Sequence, residues 1–517
     1  LLSFAAFCGL TLAFASCANE DVAQNPNNTD NDKNLTTFTA GDPSTRTSME
    51  SDGKFFWEAG DKIWVKDDNG TWNASSNSPT SKTAYFKFKV PGTYTAHMSY
   101  EVYYPGQSGS NDQAVISASQ TQTAPNTTTH FGAAGDCGMA IATRITGERN
   151  FNFTLDHKAA YLLFLPRTSN TILQNCYLTK VEVNSDNDII STYTLDPVTG
   201  KLTGTGTGKQ IVLTTKGSGT YANGFPLTNT ATSAATNGSY VVIKPGAHTL
   251  KIRYWVKDIA TGTEGTITKT LASATYDQNK YYNITANLDV KDYDGDHYSM
   301  WDAQNQYWYG YEWTKNLPAG VGQPTLNARN SPFYARGSSD VNHRWYNEGG
   351  GSSRFDATQS CATLPNANEM SWYCMYGDPR WDEYELWATM GHLHRRGMWF
   401  KKKSVLQSEG HYNTEKSADN ATDLRTNYGA YGYSSGSINS GVPSAADIGN
   451  YFYLPALGDY DSGLLELSEI TNGGGYWSSS AHPWASGRAY FLGFNSSGVT
   501  VGYRDCTVGF RVEPSFE

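Results

Sequence analysis

Short alternating apolar runs, broken every few residues by Gly, Asn, Ser or Thr, recur along this chain of 517 residues. Such a rhythm restricts the backbone to strands joined by turns. It is sharpest near the C-terminus, where residues 473–514 read GGGYWSSSAHPWASGRAYFLGFNSSGVTVGYRDCTVGFRVEP. The blocks YWSSS at 476–480 and GFRV at 509–512 look fixed, and Leu492, Phe494, Val499 and Val501 take alternate positions of two short runs. The positions between them hold Gly, Ser, Thr, Tyr, Arg, Asp and Cys without a chemical theme. A frame that keeps its shape while its outward positions are arbitrary suits a recognition surface better than an active site.

Composition supports the β reading. Gly (50) and Tyr (34) are abundant, charged residues make up only 17%, and the hydrophobic fraction of 38% is enough to bury a core. This is the profile of secreted, turn-rich β domains, and the length implies several of them. Net charge is -10 and the basic residues are scattered, so no stripe exists to follow a nucleic-acid backbone and no nucleic-acid partner is expected.

The start, LLSFAAFCGLTLAFASC, is an apolar run ending in small residues, read as a signal peptide over 1–16. Ala15-Ser16-Cys17 resembles a bacterial lipobox, which implies acylation of Cys17 and a membrane partner through a lipid anchor. Asn19-Glu20-Asp21 resembles the acidic signal that sends Bacteroidetes lipoproteins to the outer surface. Residues 17–35 are polar and Asn-rich and read as a flexible tether. Beyond Cys8 and Cys17, five cysteines are too few and too scattered for a disulfide scaffold. Cys361 and Cys374 are left as either a pair or two buried thiols.

Two β modules are expected, over 36–148 and 149–290. The first carries TRT at 45–47 and FFWEAGDKIWV at 55–65; the second carries FTLDHKAAYLLF at 153–164 and closes with YYNITANL at 281–288. Gly60 before Asp61 predicts a tight turn feeding a strand over 62–66. Glu58 and Asp61 are expected at a solvated loop, and His157, with no companion ligand nearby, as a hydrogen-bonded packing residue. These blocks resemble the Bacteroidetes fimbrillin superfamily, which implies two transthyretin-like sandwiches. An acidic hinge follows at 291–300. Its DYDGD run, within Asp292 to Asp296, has part of a calcium-loop pattern, but neither Asp302 nor Glu312 falls where the closing carboxylate belongs, so no metal is expected.

The third module, 301–517, holds ten of the 14 Trp, most of them expected in a core. Residues 369–373 and 382–390 are the best helical candidates, the latter from Leu386, Met390 and Leu393 at helical spacing. LPNANEMSWY at 364–373, GMWF at 397–400, YFYLPALG at 451–458 and the closing blocks together resemble a C-type-lectin-like domain of the Fibrobacter succinogenes major paralogous type. The fold class is thus mainly β: two transthyretin-like sandwiches followed by an α+β lectin-like domain. The E-P-N or Q-P-D and W-N-D ligand loops of calcium-dependent lectins are missing. No nucleophile elbow, zinc signature, P-loop or dinucleotide fingerprint is found, so neither cofactor nor enzymatic activity is expected. His392 and His394 would share a face only on a strand, and no third ligand is close in sequence.

The C-terminal segment also resembles the variable region of proteins rewritten by diversity-generating retroelements. Their adenine-directed changes cannot produce Lys, Glu, Gln, Met or Trp, and residues 485–508 contain none of these. The resemblance implies ligand binding by His482, Arg488, Tyr490, Phe491, Ser497, Thr500, Tyr503, Arg504, Asp505 and Thr507, with Tyr503 and Arg504 as energetic anchors and Tyr490 helping from the frame. Fimbrillin resemblance implies cleavage after Arg46, loss of the first strand, and entry of a strand from a neighbouring fimbrillin subunit. The expected role is an outer-membrane, surface-exposed adhesin at the tip of a type V pilus, binding an unknown host, bacterial or glycan ligand. The alternatives are a glycan-binding lipoprotein of a polysaccharide-uptake system and, behind it, a carbohydrate-active enzyme.

Overall fold

The computed structural model describes residues 34–40, 48–49, 55–293, 297–312, 332–389, 391–427, 432–466, 473–512 and 516. Cys17, Arg46 and most of the DYDGD run lie outside them. The fold is mainly β, as composition and alternation predict; among the described residues the longest helix, Ala367–Tyr376, has ten residues.

The first sheet has eight strands. Leu35–Ala40 lies inside it, antiparallel to Phe86–Pro91 and parallel to Asn150–Phe153. Alternate side chains, among them Phe38, Phe88, Val90, Phe151 and Phe153, bury with Trp57, Ile63 and Val65 in one core. The outer edge of Phe86–Pro91 is covered: Ser76 N–H donates to the Lys89 carbonyl, and Asn77 bonds both the Lys87 carbonyl and the Lys89 N–H. Covering an edge in this way removes a row of unpaired groups that would recruit other strands. Asp61, expected at a solvated turn, is fully buried. Its carboxylate accepts from Glu58 N–H, Tyr104 Oη and Gln107 Nε2 at 2.7, 2.9 and 2.9 Å, so it staples the turn to the core. His157 is buried and bonds Asp136 at 2.9 Å, which also accepts from Tyr161.

A ten-stranded sheet and the three-stranded sheet Ser239–Ile243, Ala160–Arg167, Tyr281–Asn287 face each other across a second core. Leu162, Phe164, Val241 and Ile243 come from one side, Val181, Val183, Ile252 and Tyr254 from the other. Strands cross the expected boundary at 148/149 in both directions. Asn150–Phe153 completes the first sheet, while Gln113–Ile116 and Ser119–Gln122 pair with Ser191–Asp196 and Gln210–Thr215.

The C-terminal region is built on a six-stranded sheet ordered Tyr298–Ser299, Phe510–Arg511, Gly474–Ala481, Arg488–Asn495, Gly498–Asp505, Tyr433–Ser435. Tyr298–Ser299 and Phe510–Arg511, far apart in sequence, are hydrogen-bonded neighbours in it. The helix Ala367–Tyr376 starts at a reciprocal cap between Asn366 and Glu369 and contributes Met370, Tyr373 and Cys374 to the core beneath the sheet. Trp301, Trp308, Trp372, Trp381, Trp387, Trp399 and Trp477 are buried, as expected of most of the tryptophans, whereas Trp484 is 46% exposed. Cys361 and Cys374 are separate buried thiols. Asp302 is also buried, and its carboxylate is occupied by N–H groups of Thr358, Gln359 and Cys361 and by the Asn347 amide.

The predicted helix over 382–390 is a strand, Arg380–Thr389, paired with His392–Lys401. Leu386 and Ala388 enter the second core while Trp381 and Trp387 enter the third. A strand buried on both faces loses the apolar–polar alternation that identifies it, and its residues then mimic helical spacing.

This strand also carries the ten-stranded sheet into the C-terminal region, through one pairing of Thr266 with Glu385. Charge secures the seam. Arg253, buried, donates to both Asp382 oxygens at 2.9 Å and lies 3.7 Å from Glu385. Asp382 also accepts from Trp399 Nε1 and Tyr384 N–H, and Glu385 from Thr266 Oγ1 and the Thr268 N–H. Lys251, on the same strand as Arg253, donates to the Pro443 carbonyl at 2.7 Å; burial and then Arg253 lower its pKa to about 8. Removing one partner of a buried pair strands the other charge. Asp382→Ala is therefore expected to cost roughly 3–5 kcal/mol, read as a lowered denaturant midpoint for the tryptophan near-UV signal. Asp382→Asn, which keeps the shape, should cost less.

Candidate ligand-binding groove

The expected binding residues lie on and around one hairpin, Arg488–Asn495 with Gly498–Asp505, in uninterrupted register from Arg488 opposite Asp505 to Asn495 opposite Gly498. Side chains alternate across it. Tyr490, Leu492, Phe494, Val499 and Val501 point into the third core. Phe491, Gly493, Asn495, Thr500, Gly502 and Arg504 take the opposite face.

That outer face bears a groove of about 510 Å³. Its floor is low because two glycines leave room for rings. A Cβ on Gly493 would come within 2.6 Å of the Phe491 ring, and one on Gly475 within 2.1 Å of Phe510. These two rings stack at 5.2 Å and 20°. Ser434, Thr500 and Asn495 add hydroxyl and amide groups, with Ser434 Oγ 3.0 Å from Thr500 Oγ1. Arg504 Nη2 lies 3.1 Å from Asp459 Oδ2, with side-chain exposures of 48% and 8% respectively. Burial pushes the Asp459 carboxyl up to about 6; Arg504 pulls it down, and Glu466 and Asp461 push the same way as burial.

The other expected residues form a second patch. Arg488 pairs with Asp505 at 3.1 Å and lies over the Tyr503 ring at 5.2 Å, and Tyr503 meets His482 edge-on at 4.5 Å. His482 is largely enclosed, and burial followed by Arg488 lowers its pKa. Tyr490 must be withdrawn from the binding set: it is fully buried and its hydroxyl donates to the Leu424 carbonyl at 3.1 Å. The period of two explains the division. Phe491, Thr500 and Arg504 share the groove face with Ser497 at its end, Arg488, Tyr503 and Asp505 face the other way, and Thr507 lines neither.

Asp459, Ser434 and Ser435 were not foreseen in the sequence. Pairing of Ser434 with Thr500, and of Tyr460 with Gly509, brings them from remote segments. Only the glycine run at 473–475 could have signalled a floor. Among the described residues no group of three or more His, Cys, Asp and Glu gathers to hold a metal. His392 and His394 do sit on a strand, but His392 bonds Asp258 at 3.2 Å and His394 stacks on Trp387 at 4.9 Å.

No family model matches this chain. No curated protein matches it either. Among solved structures it is similar to a putative cell adhesion protein from Bacteroides uniformis, at 17% identity and TM-score 0.26 over 49% of this chain and 93% of that one. It is also similar to a fimbrial protein from Bacteroides ovatus, at 12% identity and TM-score 0.24 over 92% and 98%. A third is the fimbrial anchor protein Mfa2 from Porphyromonas gingivalis, at 10% identity and TM-score 0.22 over 46% and 82%.

Two outcomes separate frame from surface. Tyr490→Ala should cost roughly 3–5 kcal/mol, as large core truncations do, while Arg488→Ala, from an exposed pair, should cost under about 1 kcal/mol. Asp459 sets a pH dependence. Its folded pKa of about 6 lies above the ordinary 3.8, so the folded state holds the extra proton between them. The stability it contributes is complete below about pH 4 and is lost as pH rises through about 6, by roughly 2–3 kcal/mol. Asp459→Asn should remove that slope, with the variant gaining on the parent protein as pH rises from 4 to 7.5 in denaturant titrations.

Proposed function

We propose that the protein is a cell-surface adhesin of pilus type, acting at the tip, and that the outward face of the C-terminal hairpin is its recognition surface. The observation that carries this reading is the division of labour within the hairpin. Leu492, Phe494, Val499 and Val501 are locked in the core, while Phe491, Thr500 and Arg504 line an open groove on the same two strands. Side chains held on a stiff support bind with little loss of freedom. Thr500 and Arg504 can change without touching that core, which supports diversification at such outward positions within residues 482–508. A near-copy of the corresponding DNA with Asn codons at those positions, beside a reverse-transcriptase gene, is the expected genomic sign.

Assembly follows from the first sheet. Leu35–Ala40 is held between Phe86–Pro91, with six facing residues, and Asn150–Phe153, with four. Cleavage after Arg46 would take this strand away together with Cys17 and its lipid. The slot left behind offers two rows of main-chain hydrogen-bonding groups to a strand of another fimbrillin subunit. Until that cut the chain stays tethered to the outer membrane through Cys17.

Bacteria displaying the full chain are expected to bind a target surface or cell, and Arg504→Ala and Thr500→Ala to lower binding at unchanged display. Equal adhesion by parent and variants would end the reading. In parallel, an arginine-specific protease should yield a chain beginning at Thr47 that incorporates into fimbrial polymers, and Arg46→Ala should remain uncut and unincorporated.

A further inference from the structure

The groove has a chemistry specific enough to name its ligand class. Its floor is a flat aromatic surface, the partly exposed Phe491 ring backed by Phe510, and the glycines on either side keep other side chains off it. The negative face of such a ring attracts polarised C–H groups. Its lining carries Ser434, Thr500 and Asn495: Thr500 Oγ1 donates to the Tyr433 carbonyl and bonds Ser434 Oγ, and Asn495 Oδ1 accepts from Ser497 N–H, which leaves hydroxyl lone pairs and the Asn495 amide N–H groups for a ligand. Its two charged lining residues, Arg504 and Asp459, stand 3.1 Å apart as an ion pair, so neither is left uncompensated in the groove to select a charged ligand by itself. Side by side, a guanidinium that only donates and a carboxylate that only accepts match two neighbouring hydroxyls, one accepting and one donating.

An added peptide strand does not fit the floor. Arg488–Asn495 is paired on one side with Gly474–Ala481 and on the other with Gly498–Asp505, which is itself paired with Tyr433–Ser435. The ladder groups of Arg488–Asn495 and of Val499–Val501, beneath the groove, are therefore already used. The volume of about 510 Å³ lies in the range of small-molecule sites.

We propose that the groove takes a neutral hexopyranose unit of a glycan chain, with its apolar face on Phe491 and neighbouring ring hydroxyls bracketed by Asp459 and Arg504. This rests on the groove being the recognition surface. Uncharged sugars have a C–H face and a rim of hydroxyls that both donate and accept, which is the complement of what the groove presents. Thr500, across the strand pair from Gly493, and Ser434 beside it line the same groove and would meet the sugar's hydroxyl rim.

Calorimetric titration of the full chain tests this, using neutral gluco-, galacto- and manno-configured oligosaccharides alongside uronic-acid-containing and sulfated oligosaccharides and an unrelated peptide. At least one neutral series should bind. Phe491→Leu keeps the apolar volume but removes the ring face and should weaken binding tenfold or more, while Phe491→Tyr should retain it. Thr500→Ala, across the strand pair from Gly493, should weaken binding several-fold without touching the floor and serves if Phe491→Leu fails to fold. The proposal is overturned if no neutral sugar binds, if charged sugars or the peptide bind in preference, or if neither Phe491→Leu nor Thr500→Ala changes the affinity. Should groove variants abolish adhesion while no neutral sugar binds, the sugar assignment fails alone. Should they change neither adhesion nor sugar binding, the recognition surface fails with it.

Discussion

Arg253 is the hinge-pin of the chain's architecture. It rises from the long strand Gly246–Asp258 and meets Asp382 and Glu385 on a strand more than a hundred residues away, in a setting closed to water. Among the described residues, the strands Glu264–Tyr276 and Arg380–Thr389 at this seam of the ten-stranded sheet share one paired position, Thr266 with Glu385. Backbone pairing alone would make a weak seam there. The desolvated guanidinium with two carboxylates, and Lys251 reaching the Pro443 carbonyl beside it, select which strands meet there, because a mismatched partner would leave a charge buried and unpaired. The seam fixes which way the C-terminal region faces, and so which way its groove opens.

Within that region the alternation of the strand decides what each residue can do. A hairpin with one face in a core has no freedom to slip by a residue, since slipping would exchange buried Leu492 and Val501 with Phe491 and Gly502. The same constraint divides the expected binding residues between a groove and a separate patch around Tyr503. Conformational rigidity and chemical openness thus come from one structural fact.

Much of this was legible in the sequence. The frame positions of the hairpin, the helix over 369–373 and the mainly-β class follow from alternation and local chemistry that a short window contains. What was not legible depended on distance. The strand Arg380–Thr389 lies between two cores, and its pattern is the sum of two burials that no window can separate. Asp61 looked like a surface carboxylate because two of its donors, Tyr104 and Gln107, are remote in sequence. Tyr490 looked like a neighbour of the binding positions because, in sequence, it is one; only the parity of its position on the strand removes it.

The segments Tyr298–Ser299 and Phe510–Arg511 lie side by side, an arrangement that in other proteins lets a unit be lifted out and grafted elsewhere. Here the strand Arg380–Thr389 prevents it, because the same unit completes another unit's sheet. Transplanting the C-terminal region to a foreign scaffold would leave Arg253 facing nothing and Leu386 uncovered. The shared strand thus makes the C-terminal region and the ten-stranded sheet depend on each other for their cores.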